Sequence, residues 1–189
     1  MNKQTDSKKV YGVYSPSVLS QKVYLMITEV GQNIKQNLET EINHKVNGKC
    51  IAEGIVKPGS IKIISYSSGY VRNDRVEFQV VFECMICNPV GNMEIECTAK
   101  TITKAGIHAE VIDDDGTVPV TVFIARDHHY TNKSFANVTE NEKISVSVIG
   151  SRFELNDPYI CVIAKYIDKK QNELNNKTQK KPPLSILED

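Results

Sequence analysis

Tryptophan is absent from the 189 residues. So is any apolar run near the roughly 20 residues that a membrane-spanning helix needs. The first ten residues, MNKQTDSKKV, are polar and hold no apolar segment, so no secretory signal is expected. There is no net charge, with 23 basic against 23 acidic side chains. A dedicated nucleic-acid binder carries a basic excess on its binding domain, and this chain has none. The five cysteines are an odd number without an export signal, and they read as reduced thiols of an intracellular compartment. No Gly-x-Ser-x-Gly elbow and no His-Glu-x-x-His helix occurs, so no catalytic residue is assigned.

What is present has a globular composition, 40% hydrophobic. The length suffices for one large or two small domains. Two domains of about 80 residues each would lean on each other or on a partner. The balanced charge is unevenly placed. Residues 1–90 carry 11 basic and 8 acidic side chains, 91–168 carry 7 and 12, and 169–189 carry 5 and 3.

Residues 1–9 read as a disordered N-terminus. The stretch VYLMITEV, 23–30, has the β-branched and aromatic enrichment of a strand. Ile34, Leu38, Ile42 and Val46 then recur every fourth residue, one apolar stripe along a helix, and Gly48 supplies its cap. The stripe is expected to pack on a neighbouring sheet, with a partner-binding helix as the alternative. Short strands follow, cut at Gly54, Pro58-Gly59 and Ser68-Gly69, pairs that mark turns. In RVEFQVVFECMIC, residues Val76, Phe78, Val80, Phe82 and Cys84 alternate onto one face of a strand. Asn88-Pro89 ends it, because proline cannot continue a central ladder, and a domain boundary is placed there.

Five short strands are expected beyond it, at 93–103, 107–112, 117–124, 143–153 and 158–166. DDDG, 113–116, makes a hairpin turn in which Asp-Gly tolerates positive φ, and NDP, 156–158, makes the last one. Five strands with one longer connection, 125–141, predict a small OB-type barrel. Gly106 is expected to kink a barrel strand, since a closed barrel bends its strands sharply. The fold class is mainly β with one major helix (α+β). An N-terminal domain covers 10–89, a five-stranded OB-type barrel 90–168, and a flexible polar tail 169–189.

Cys84 and Cys87 have zinc-knuckle spacing, and Cys97 lies ten residues on. A structural zinc site wants four ligands, so Cys50 or a histidine would have to fold in. The cysteines also fit buried strand positions as small hydrophobes, and no metal or cofactor is expected. Asp127, His128 and His129 do not converge, because adjacent residues of an extended segment point opposite ways. Asp113, Asp114 and Asp115 run straight into a strand, whereas a calcium loop spreads its ligands over about twelve residues. A solvated turn is expected there.

One ordered series carries a resemblance: VNGKCIAEGIV, SGYVRNDRVEFQVVFEC, NPVGNMEIECTAKTITKAGIHAEV, VFIAR and VIGSRFELNDPYICVIAKYI. From about Val23 to Asp168 it resembles the stalk subunit of archaeal and eukaryotic DNA-directed RNA polymerases, the seventh-subunit or E-prime family. The resemblance implies a tip domain wedged against the polymerase core beside the clamp. It also implies an RNA-binding barrel near the transcript exit, and a fourth-subunit partner packed along both. Carried over by position, docking contacts fall around Gly54 and on Ser68, Gly69, Tyr70 and Val71. The RNA face takes Lys104, His108, Phe123, Arg126, His128 and Arg152. His108 and Phe123 keep a second reading, as a solvent-facing strand residue and a core residue.

Departures from the family are a shortened glycine-proline signature, Cys84-x-x-Cys87, an acidic barrel and a compact 117–141 region. The compact form, with a Lys-, Asn- and Ile-rich composition, is more like the polymerase of a large cytoplasmic DNA virus. The protein so implied is a non-catalytic stalk subunit. Its partners are other polymerase subunits, the largest ones at the clamp among them, and weakly the nascent RNA, with no membrane. Its place is host cytoplasm and virion if viral, otherwise the nucleus. The alternatives are a free-standing OB-fold RNA-binding protein of translation or RNA decay, and a thiol-dependent enzyme.

Overall fold

The computed structural model describes residues 12–168; the expected disordered 1–9 and flexible 169–189 lie outside them. The first strand, β1, runs Tyr14–Met26, so it begins well before the apolar run that marks it in the sequence. SPSVLSQK lacks a strong β signal of its own. Pairing with a long partner strand recruits it, with an unbroken register from Tyr14↔Cys87 to Met26↔Arg75. The strand stops at Met26, and Ile27–Glu29 form one 3₁₀ turn where strand was expected.

Helix α1, Ile34–Val46, buries Leu38, Ile42 and Val46. They pack with Val23 and Leu25 of β1 in one apolar cluster, so the stripe is a core face. Gly48, at φ +68, sits just past the capping Asn47, the left-handed position that glycine fills without a Cβ penalty.

Strands β2 (Cys50–Ile51), β3 (Gly54–Val56), β4 (Lys62–Tyr66), β5 (Tyr70–Arg72) and β6 (Arg75–Cys87) complete the first sheet. One edge of β6 takes β1. The other takes β3, β4 and β5 in succession, all antiparallel to it. Pro58-Gly59 and Ser68-Gly69 therefore interrupt this edge without reversing it. The reversal comes at Asn73-Asp74, where Asn73 adopts φ +57, a conformation asparagine tolerates in turns.

Along β6 the alternation divides two cores. Val76, Phe78, Val80, Phe82, Cys84 and Ile86 face α1. Cys87, with Met85 packed beside it, faces the other way and joins the core of the second half. Val13, Tyr14, Cys50 and Ile55 join it too. The boundary placed at Asn88-Pro89 is thus crossed by one continuous apolar cluster.

The second half is a closed barrel of β7 (Glu94–Ile102), β8 (Gly106–Val111), β9 (Val120–Ala125), β10 (Lys143–Arg152) and β11 (Ile160–Ile167). The order round the barrel is β7-β8-β9-β11-β10, and only β9 and β11 are parallel. β9 starts at Val120 because Asp113 N–H donates to Thr117 O and Gly116 takes φ +77, which keeps 113–117 in the turn.

The bends fall elsewhere than expected. Register shifts lie between Ala99 and Thr101 in β7 and between Val148 and Gly150 in β10, local bulges that tighten the curve. Gly106 begins β8 and lies against β9. A Cβ there would collide with the carbonyl oxygen of Ile124 and come within 3.1 Å of the Phe123 ring. Close backbone approach, not a kink, requires glycine at this position.

A short helix, α2 (Lys133–Ala136), lies in the long connection; Asn132 caps it, accepting from Ser134 and Phe135 N–H. Among the described residues no helix is long and apolar enough to cross a membrane.

Candidate functional site

Two surfaces carry the residues singled out in the sequence. The first is the outer face of the barrel. His108 and Phe123 are cross-strand partners on β8 and β9, with ring centroids 4.8 Å apart at a tilt of 44°. Phe123 is half-buried with its neighbours Val122 and Ile124 pointing into the core, so its ring belongs to the outer face. Beside it on β11 stands Ile163, 54% exposed and paired with Phe123. His108, Phe123 and Ile163 form one flat row across three strands. Ile163 was not singled out in the sequence, although the alternation in CVIAKYI, with Val162 and Ala164 inward, places it outward.

The cations of this face have different fates. Arg126 donates from Nε to Lys104 O at 3.2 Å and from Nη2 to Thr103 O at 3.0 Å, and its guanidinium lies 5.6 Å from the Phe135 ring centroid. It clamps the β7–β8 turn and so holds the turn that presents Lys104. Arg152 pairs with Glu154 at 3.2 Å on an exposed rim and sits across from Cys161, one row from Phe123. His128 is exposed as the last residue of the 3₁₀ turn Arg126–His128. It borders a different cavity, with Glu94, Lys165 and Asp168. The structure gathers His108 and Phe123, with Arg152 one row away but paired to Glu154, and separately Lys104 and Arg126; His128 stands apart.

His129 was set aside in the sequence, and it proves to be a structural pin. It is buried, its ring stacks on Phe135 at 4.5 Å, and both nitrogens are engaged by backbone. Asp127 accepts a hydrogen bond from Tyr130 Oη at 2.8 Å instead.

The second surface is an apolar groove of about 520 Å³ in the sheet half. Ile27, Val30 and Ile34 form one wall, residues 66–69 with Val71 the other, and Val76 and Phe78 the floor. Ser68, Gly69 and Val71 line it directly. A Cβ on Gly69 would come within 2.5 Å of Val76 and 2.8 Å of Phe78, so glycine leaves the floor open. Tyr70 is 65% exposed beside it, with Arg72 over its ring at 5.4 Å and paired to Glu77 at 3.1 Å. Lys22 hydrogen-bonds Glu77 and holds that carboxyl below its ordinary range.

Gly54 lies at the far end of β6, with its neighbour Ile55 paired to Cys87 while Tyr70 pairs with Glu77. Ten strand residues put about 33 Å between the two places. At φ +132, with a Cβ blocked by the Cys87 carbonyl, Gly54 is a packing glycine.

The cysteines do not converge. Cys84 and Cys87 lie on opposite faces of one extended strand, each in a different core. Burial pushes the thiols of Cys87 and Cys97 up to about 12 and raises those of Cys50 and Cys84. That direction disfavours the thiolate needed by a nucleophile or a metal ligand. No cluster of three or more metal-ligating side chains occurs among the described residues.

No known protein-family model matches the chain. A protein of Acanthamoeba polyphaga mimivirus is similar to it. The two are 27% identical over 171 residues, 85% of each chain. That relative is named as a candidate DNA-directed RNA polymerase subunit. A match of this length reaches into both the sheet half and the barrel half.

Proposed function

We propose that the protein is a non-catalytic subunit of a multisubunit DNA-directed RNA polymerase of a large DNA virus. In this reading it occupies the stalk position, with its sheet half docked beside the clamp and its barrel near the RNA exit path. The observation that carries the reading is the similarity to the mimivirus protein along 85% of both chains. The barrel order, with third and fifth strands parallel, is that of an OB fold and agrees with it. Other polymerase subunits are then the partners, and the host cytoplasm and virion the location.

The groove beside Ser68–Val71 supports docking through the sheet half. Ile27, Tyr70 and Val71 are each at least half exposed, and contiguous apolar surface of this kind is the usual mark of a protein contact. Gly54 contributes through the fold of β3 rather than by contact.

RNA is a weak partner in this reading. His108, Phe123 and Ile163 offer a stacking row, worth roughly 1 to 3 kcal/mol per base on an aromatic ring. The segment 91–168 carries 7 basic against 12 acidic side chains, which opposes phosphate binding. Contact with the transcript would rely on tethering, which raises effective concentration toward about millimolar. The test is to isolate the polymerase from its native source through one of its largest subunits. This chain should be present in amounts equal to the core subunits, and its absence from active enzyme would refute the reading.

A further inference from the structure

The barrel meets the sheet half with one of its ends. β7 begins at that end, β8 and β10 finish there, and β9 and β11 start there, because β7 is antiparallel to β8 and β10, β8 to β9, and β10 to β11. The link 88–93, the turn 112–119 and the turn 153–159 therefore stand round one rim of a closed barrel. Each of them is fastened to the sheet half. In the link, Asn88 Nδ2 donates to Glu53 O at 3.0 Å, while Asn92 N–H donates to Val148 O of the barrel at 2.8 Å. In the last turn, Asn156 N–H donates to Cys50 O at 2.9 Å.

The turn 112–119 is held by charge. Asp113, its side chain 9% exposed, accepts from Lys57 Nζ at 3.3 Å and from the Tyr14 hydroxyl. The Lys57 ammonium also lies 5.2 Å from the Tyr14 ring centroid. Lys57 is itself fixed to β6, since its N–H donates to Met85 O at 2.8 Å, and Asp113 N–H holds its own turn through Thr117 O. The barrel's apolar cluster extends into the sheet half through Val13, Tyr14, Cys50, Ile55 and Cys87.

Two domains on a short link swing by default unless their interface is large and apolar. A single attachment leaves a hinge, whereas three spaced round a closed rim leave no axis to turn about. We propose that the joint is a fixed elbow, locked by Tyr14, Lys57 and Asp113, so that sheet half and barrel move as one body. A partner that grips the sheet half then sets the position of the His108–Phe123 row. The inference stands on the contacts at the joint and does not depend on the polymerase reading.

The test puts spin labels on Cys161, exposed on the barrel, and on Ile64→Cys, an exposed site of β4. Pulsed dipolar EPR on the full chain reads their separation. The distribution should have one peak, as narrow as that of a pair within the barrel, Cys161 with Lys143→Cys. Lys57→Met/Asp113→Asn and, separately, Tyr14→Phe should broaden it about twofold and leave the within-barrel pair unchanged. A broad or many-peaked wild-type distribution, or the wild-type width in both variants, would overturn the proposal. The wild type alone supplies a second readout. Amides of β6 and of β9 should lose protection at one urea midpoint, as a single cooperative unit does, and two separated midpoints would overturn it.

Discussion

His129 Nε2 accepts the backbone N–H of Tyr166 at 2.9 Å, while Nδ1 contacts Ala125 O at 2.8 Å. A backbone N–H can only donate, so Nδ1 carries the ring proton and donates to Ala125. One buried side chain thereby pins the connection after β9 to the last barrel strand. His129→Ala leaves two backbone groups unpartnered, at about 1–3 kcal/mol each. Urea unfolding should show a loss of about 3 kcal/mol, larger than for the exposed His128→Ala.

Lys57 and Asp113 form the ion pair across the joint, with side chains 28% and 9% exposed. Removing only the cation strands a nearly buried carboxylate, which costs roughly 3 kcal/mol or more. Lys57→Met should therefore destabilise more than Asp113→Asn. The double variant should recover part of the loss, read as coupling in a double-mutant cycle.

Gly54 and Gly59 both have positive φ but differ in surroundings. A Cβ at Gly54 meets the Cys87 carbonyl and lies 2.9 Å from Ile86, whereas nothing lies within 4 Å at Gly59. Gly59→Ala should cost about 1–2 kcal/mol, from backbone conformation alone. Gly54→Ala adds a backbone collision and should cost several-fold more in thermal or urea melts. Any loss of partner binding by Gly54→Ala should track its loss of folded protein.

Cys87 and Cys97 titrate near 12 in the folded chain against 9.0 for a free thiol, chiefly through burial. The folded state then holds protons that the unfolded state releases. Stability from these thiols is complete below about pH 9 and declines as pH rises toward about 12, by about 1.4 kcal/mol per pH unit for each thiol. At neutral pH, iodoacetamide should modify the exposed Cys161 first, with the four buried cysteines protected until unfolding. Rapid modification of Cys87 in folded protein would contradict this.

The fold was legible wherever one face is buried. The fourfold stripe of α1, the alternation Val76 to Cys84 and the five barrel strands follow from periodicity. β1 was half hidden because its first residues owe their conformation to β6. Gly106 was recognised as structural, but its cause, a clash with β9, is a long-range fact that no local pattern contains. The candidate surfaces were legible residue by residue and not as sites. Arg126 has a cation's sequence signature, yet its donors face the Thr103 and Lys104 carbonyls. Gly54 and Ser68–Val71 share a glycine-rich segment, yet β6 holds them about 33 Å apart.

The most direct measurement captures a tagged copy of the full chain from cells making the polymerase and quantifies the largest subunits recovered with it. Val71 is 64% exposed at the groove, so Val71→Asp should leave the fold intact and reduce that recovery at least about tenfold, or about 1.4 kcal/mol. Phe123→Ala on the barrel should leave recovery near that of the wild type. Failure of the wild type to recover polymerase subunits, or full recovery by Val71→Asp, would contradict docking through the sheet half.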